Sequence, residues 1–359
     1  MVDEIDMLRH VFDADPVAER PEVVDLIRAR VLAEASTVPP GPGHQASTGP
    51  GRRRLSRRRR AIAGAAAALC TIAALVAAAT LLPTGGTLPG PSPAAAAVLS
   101  RAADAATTTS PTLPGPGQYV YTATTEDLLL NGEGFGANSP PYWYHETQTT
   151  QRWTGDDGSG RTVLTYTPVT FVTPADQAAW VATGQPLPTS VPSDQSYGPS
   201  AQRAADNLDP TGLPTDPSTL RAALAQRYGT GTDPALVISA VVSLLDEPGI
   251  TPKLRSALFD ALAATPGINS YGTTTDALGR SGDAVGAVVE GIRVLMIFDP
   301  VTTALLGEQK TVVDAAQLVV PPHLSASQVG AIRSETAGTV LDTETFATPG
   351  IVSSTTAVP

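Results

Sequence analysis

The sequence predicts an α+β chain: one transmembrane helix followed by an extracytoplasmic domain with a curved antiparallel sheet and a packed block of three helices. Three observations predict it. An apolar run without charge, Ala61 to Leu82, follows directly on seven arginines. Strand-like runs joined by Gly/Asp turns occupy two separated regions, Tyr119 to Tyr166 and Val285 to Val313. Between these regions, three segments each open on a capping residue followed by proline and close at a glycine or Pro-Gly. Hairpins on both sides of a helical block are the α+β pattern.

Residues 1–37 carry two short amphipathic stripes, Ile5, Leu8 and Phe12, then Val23, Val24, Ile27 and Val31, with charges between them. Helices of about three turns are marginal alone, so these apolar stripes need a partner, a membrane surface or each other. Val24, Ile27 and Val31 are the candidate docking residues for a cytoplasmic regulatory protein. Glu22, Asp25 and Glu34 on the second helix weaken its attraction to anionic lipid.

Residues 38–60 read as a flexible basic linker ending in Arg52, Arg53, Arg54, Arg57, Arg58, Arg59 and Arg60. Clustered arginine alone would suit phosphates, but beside an apolar run it reads as the cytoplasmic flank of a membrane span. As a helix, residues 61–82 would measure about 33 Å against a hydrocarbon core of about 30 Å. The run keeps only Thr71, Thr80 and Cys70 as polar interruptions, too few for the polar stripe of a soluble amphipathic helix. It also exceeds the h-region of a cleavable signal, although the small residues Ala94 to Ala97 leave cleavage open. The expected placement is therefore a single-pass protein of the cell membrane, N-terminus cytoplasmic, touching membrane lipid through one span.

The tether at 83–97 leads into a domain expected at 98–348, with a flexible tail at 349–359. After Pro83 the chain holds 12 Lys and Arg against 25 Asp and Glu, near −13, while residues 1–60 hold 11 basic against 9 acidic. An acidic domain repels nucleic acid, which excludes that partner class. With one cysteine in the whole chain, no disulfide forms within it.

Tyr119 and Tyr121 alternate with smaller residues, and the "DDGSG" at Asp156 to Gly160 joins two strand runs as a hairpin turn. Asp216-Pro217, Asp233-Pro234 and Thr251-Pro252 start the three helices, and Leu254, Ala257, Leu258, Ala261 and Leu262 form one apolar face. Residues 186–217 read as an irregular excursion. Glu290-Gly291 and Asp299-Pro300 are the turns between the last three strand runs.

Chemistry is sparse. His145 and His323 are the histidines of the outer part, and neither sits in a nucleophilic or metal-binding setting. No catalytic, cofactor-binding or metal-ligating residue is assigned. Tyr142, Trp143 and Tyr144 are candidate ligand contacts, since aromatic faces offer large contact area, although strand alternation buries part of the trio regardless.

Seven pieces in order, the arginine-flanked run, "GPGQYVYT", "RWTGDDGSGR", "LPTDPSTLRAAL", "LFDALAATPGI", "TDALGRSGDAV" and "IFDPVTTALLGE", resemble an actinobacterial family of single-span membrane-anchored proteins whose activity is unassigned. The family carries Asp-x-x-Thr-Gly in the last piece, where Thr303 and Ala304 end the turn here. The resemblance implies an extracytoplasmic regulatory or sensory protein without catalytic activity, linked to extracytoplasmic-function sigma factors. The order of elements is also similar in outline to half-barrel carriers of lipoproteins. The alternative is thus a carrier or binding module for an apolar or lipid-like envelope ligand.

Overall fold

The computed structural model describes residues 90–133, 141–184, 190–199, 210, 212–319 and 326–359. The expected N-terminal helices with Val24, Ile27 and Val31, the arginines from Arg52 to Arg60, the apolar run 61–82 and His323 lie outside the described residues.

Helix α1 (Pro93–Thr108) is capped by Ser92, whose hydroxyl accepts from the Ala95 amide. Its buried side chains, Ala95, Leu99, Ala102, Ala103 and Ala106, recur at helical spacing. Being mostly alanine, they let α1 lie close against α5. After the Gly115–Gln118 turn, with Gly117 at φ +71, come two long strands, β1 (Tyr119–Glu133) and β2 (Pro141–Gly155). They are followed by β3 (Gly160–Tyr166), β4 (Thr170–Phe171), α2 (Pro174–Thr183) and β5 (Ser193–Tyr197).

Helices α3 (Pro217–Tyr228), α4 (Pro234–Asp246) and α5 (Pro252–Ala263) start at proline behind Asp216, Asp233 and Thr251. Each capping oxygen accepts from a first-turn amide, one of the donors a helix leaves unpaired. Then come β6 (Asn269–Thr275), β7 (Ser281–Val289), β8 (Ile292–Phe298), β9 (Leu305–Val312), α6 (Ala326–Arg333), β10 (Val340–Phe346) and β11 (Gly350–Val352).

All the strands join one antiparallel sheet of eleven, ordered β5-β3-β2-β1-β10-β9-β8-β7-β6, with β11 on β1 and β4 on β2. Strands from near the end of the chain thus lie in its middle: β10 bridges β1 to β9 and welds the early and late hairpins into one layer. On one face, Val285, Ala287, Val294, Met296 and Phe298 pack with α4 and α5 in the main core. The Phe259 and Phe298 rings stand 5.2 Å apart, and Leu258 and Leu262 are fully buried. On the other face, Ala284, Ile297 and Leu306 form a small cluster beside Tyr271. There the Asp276–Arg280 loop is tied down: the Asp276 carboxylate accepts from the Leu278 and Arg280 amides and the Arg280 side chain. The guanidinium also donates to the carbonyls of Leu306 and Phe346.

Two expectations are corrected. The α+β reading, a curved sheet beside a block of three helices, gives way to a sheet-rich domain organised by one large antiparallel sheet with few helices on it. The reason is recruitment: Ser193–Tyr197, read as irregular, Gly350–Val352, read as tail, and Val340–Phe346, to which no element was assigned, become strands because neighbouring edges satisfy their backbone groups. Second, among the described residues no helix is long and apolar enough to cross a membrane. The longest of those assigned above, α1, has 16 residues, under the ~20 a span requires, and the apolar α4 has 13. The transmembrane helix, the single-pass anchor and the cell-membrane localisation with its extracytoplasmic side thus have no helix to rest on in the described structure, and the apolar run 61–82 lies outside it.

Candidate functional site

Residues paired directly across strands share a face of the sheet. The register places Gln148 (β2), Glu126 (β1), Glu344 (β10), Glu308 (β9) and Met296 (β8) in one row across five strands. The next row on that face holds Glu146, Leu128, Asp342, Lys310 and Val294. Met296 and Val294 belong to the core under α4, so the helix-facing surface is apolar at β7–β8 and strongly charged at β9, β10 and β1.

Four carboxylates, Glu126, Glu308, Asp342 and Glu344, surround one ammonium there. Lys310 Nζ lies 2.6 Å from Asp342 and 3.6 Å from Glu308. Burial works to lower the Lys310 pKa, but Asp342 and Glu308 outweigh it and hold the ammonium charged. Burial pushes the Glu308 carboxyl up, against the pull of Lys310. Glu344 is raised well above the usual carboxylate range by burial and by its neighbours Glu126 and Glu308. Glu344 and Glu126 keep partial solvent access, whereas Glu308 and Asp342 are buried, and Asp342 Oδ1 has no hydrogen-bond partner.

Helix α4 turns its polar side to these rows. The Ser239 hydroxyl donates to Glu308 at 2.8 Å, and Ser243 donates to the Ser239 carbonyl one turn back. At its last helical position, Asp246 faces Thr124 at 3.4 Å, and the next residue, Glu247, pairs with Arg152 of β2 at 2.9 Å. A carboxylate at a helix C-terminus meets the negative end of the helix dipole, where it is disfavoured. Burial pushes the Asp246 carboxyl up to about 6 despite nearby Arg152. Among the described residues, no group of three or more His, Cys, Asp or Glu is arranged to hold a metal ion.

Two residues along β1 and β2 from the charged rows, the same face becomes aromatic. Tyr142, Tyr144 and Leu130 are buried with Phe171 and Trp180 of α2 packed on them, ring centroids 5.3–6.4 Å apart. Trp180 Nε1 is buried there without an acceptor. Glu146 borders this cluster and accepts from Ser190 at 2.8 Å. The three expected ligand contacts are therefore divided by strand alternation: Tyr142 and Tyr144 enter this cluster, while half-buried Trp143 packs on the main core. His145 lies on the opposite face from Glu146, its Nδ1 3.2 Å from Asp127, both half-exposed.

The charged rows were absent from the sequence reading. Their local trace was visible: Glu308 and Lys310, and Asp342 and Glu344, stand two apart in strand-like runs, so each pair shares a face. The pairing of β1, β9 and β10, which brings them together, spans more than 180 residues of chain and has no local trace. No protein-family model, curated protein or solved structure matches the chain.

Proposed function

We propose that the domain is a non-catalytic regulatory or sensory module whose responsive element is the charged seam between α4 and the sheet. The observation that carries this reading is the row Glu126–Glu344–Glu308 with Asp342 and Lys310, placed under a helix instead of in an open cleft. A core that served only stability would gain from apolar residues at those positions, since buried charges cost desolvation. A buried seam of four carboxylates around one ammonium changes its energy when one charge is gained, lost or bound. Transcription is the output to which the resemblance points, through sigma-factor signalling.

The test is a deletion strain complemented with wild type, Lys310→Met or Glu308→Gln, compared by transcript profiling at matched protein levels. The regulatory reading expects a defined gene set to shift on deletion and to return with wild type but not with the variants. Identical profiles in deletion and parent would sink it.

A second reading, a carrier for an apolar ligand, is favoured by one observation. Tyr142, Tyr144, Phe171 and Trp180 lie beneath α2, a helix with no buried residue of its own, and Trp180 leaves a buried donor unpaired. Binding of a solvatochromic hydrophobic dye by wild type and not by Tyr144→Ser would support it.

A further inference from the structure

We propose that the aromatic cluster beneath α2 is a recognition site for a quaternary ammonium group, a cation coated in methyls, with α2 as its lid. This rests on the carrier reading and names its ligand, an organic cation in place of a neutral apolar molecule.

Four rings and one carboxylate make the site. Phe171 of β4 stands opposite Tyr144 on β2, and Tyr142 lies two residues along the same face of that strand. Trp180 of α2 closes over Phe171, with centroids 5.3 Å apart and planes 30° from parallel, so the two rings turn their faces towards one another. Glu146 is the next residue on that face of β2, only 3% exposed, and its charge acts on the Tyr144 phenol. Burial pushes the Glu146 carboxyl up, and the Ser190 hydroxyl, 2.8 Å away, is the group that holds it down. Among the described residues no cation pairs with it.

These features select one kind of ligand. A buried carboxylate without a counter-charge is costly to ionise, and an arriving cation favours its charged form. Ring faces attract a cation within about 6 Å of their centroids, most strongly when it is desolvated. An ammonium with N–H groups would bring donors that ring faces satisfy poorly. A quaternary ammonium brings none, and its methyls pack on the rings. The acidic domain as a whole draws cations and repels anions.

The lid is held at one end. Asp176 accepts from the Trp143 and Thr173 amides, which fixes the first turn of α2 to β2 and to its own cap. The other half carries Trp180 and ends at Gly184, φ +65, and the helix buries no residue of its own. With the lid shut, Trp180 Nε1 is buried without an acceptor, and lifting the helix gives that donor to water. Closure therefore carries a cost that opening relieves. A cation entering between Phe171 and Trp180 exchanges one ring–ring contact for two ring–cation contacts.

Isothermal titration of the full-length protein with choline and with 3,3-dimethyl-1-butanol, its uncharged isostere, tests this. Choline should bind at least about tenfold more tightly than the alcohol. Glu146→Gln should remove that preference while leaving the alcohol's affinity unchanged. Trp180→Leu, on a helix without a buried residue, should weaken choline about tenfold at an unchanged melting temperature. Equal affinity for the two probes would overturn the cage and leave the carrier reading standing, as would binding of the hydrophobic dye with no heat from choline. Silence with choline, alcohol and dye together would end both. Choline affinity unaltered by either variant would place the cation elsewhere and also overturn the cage. Phosphatidylcholine vesicles that displace choline would support the cage with a lipid headgroup as the source, and vesicles without effect would support it with a free solute.

Discussion

The Lys310 ammonium meets Asp342 across the β9–β10 ladder at 2.6 Å, on a part of the sheet that three further glutamates share. That contact sets the electrostatics of the seam, because it places a cation where the register has gathered only acids. Removing one partner of a buried pair leaves the other charge without compensation.

Lys310→Met should therefore destabilise the domain by about 3–5 kcal/mol at pH 7.5. Lys310→Met combined with Asp342→Leu should recover much of the loss, since apolar residues of similar volume replace buried ion pairs at little cost. Urea unfolding of the three proteins measures both effects. A single variant within about 1 kcal/mol of wild type would show that the ammonium is solvated and the seam electrostatically unimportant.

Asp246 gives the pH dependence a definite sign. Its carboxyl is pushed up to about 6 in the folded domain, by burial first, against about 3.9 in an unfolded chain. The folded state therefore holds the proton more tightly. The cost of ionising Asp246 is absent below pH 4, grows between 4 and 6, and is complete above 6. Asp246→Asn should raise stability at pH 7.5 by on the order of 1–2 kcal/mol, after allowance for partial solvent access, and change nothing at pH 4. Denaturation midpoints across that range would reveal it, and a gain of equal size at both ends would assign the effect to packing.

Glu290 and Gly291 form the two-residue turn between β7 and β8, with φ of +49 and +79. Both positions of such a turn require positive φ, for which Asn-Gly is the favoured pair. Burial and the nearby Asp233 push the Glu290 carboxyl up to about 7, and its Oε2 is buried without a partner. Glu290→Asn should thus stabilise by about 0.5–1 kcal/mol from backbone preference at every pH. A further gain should be absent below pH 4, develop between 4 and 7 and be complete above 7, where the native glutamate is ionised at a cost. A thermal melt at pH 4 and pH 8 separates the two parts, and a lower melting temperature at both would refute the assignment.

Local grammar was legible in this chain, and long-range pairing was not. Asp216, Asp233 and Thr251 cap the helices that their following prolines announce, because capping is settled within four residues. The hairpin turns at Asp156–Gly160 and Glu290-Gly291 likewise follow from their own residues. In the last turn, buried Thr303 takes φ +57, a backbone position that the sequence reading did not anticipate. By contrast, β1 takes β10 and β11 from more than 200 residues away as partners, and nothing near Glu126 indicates that Glu344 will face it. A charged strand residue reads as a solvated one until its partner is known. The aromatic trio was half-legible, since alternation required it to divide without saying which side would be covered.

The last ten residues, expected as a flexible tail, are tied into the sheet, and that has a measurable consequence. Gly350–Val352 pair with Tyr119–Tyr121 as β11, and Val352 is buried with Tyr121 and Trp153. Beyond it, the Ala357 carbonyl accepts from Trp153 Nε1 at 2.6 Å, and the Thr355 carbonyl accepts from Arg161 at 3.0 Å. Arg161 in turn stacks over the Trp153 ring at 5.5 Å and is held by Asp194. Removing residues 350–359 uncovers Val352's partners and takes away the acceptor of the Trp153 indole N–H, which water then replaces. Burial of one large apolar side chain is worth about 1.5–3 kcal/mol and a hydrogen bond exchanged for water about 0.5–1.5 kcal/mol, so the truncation should cost roughly 2–4 kcal/mol. In a Trp143→Phe, Trp180→Phe background, where Trp153 is the remaining tryptophan, its emission should shift to longer wavelength on truncation as water reaches the ring. Unchanged emission with unchanged stability would mean that the tail does not cover Trp153 in solution.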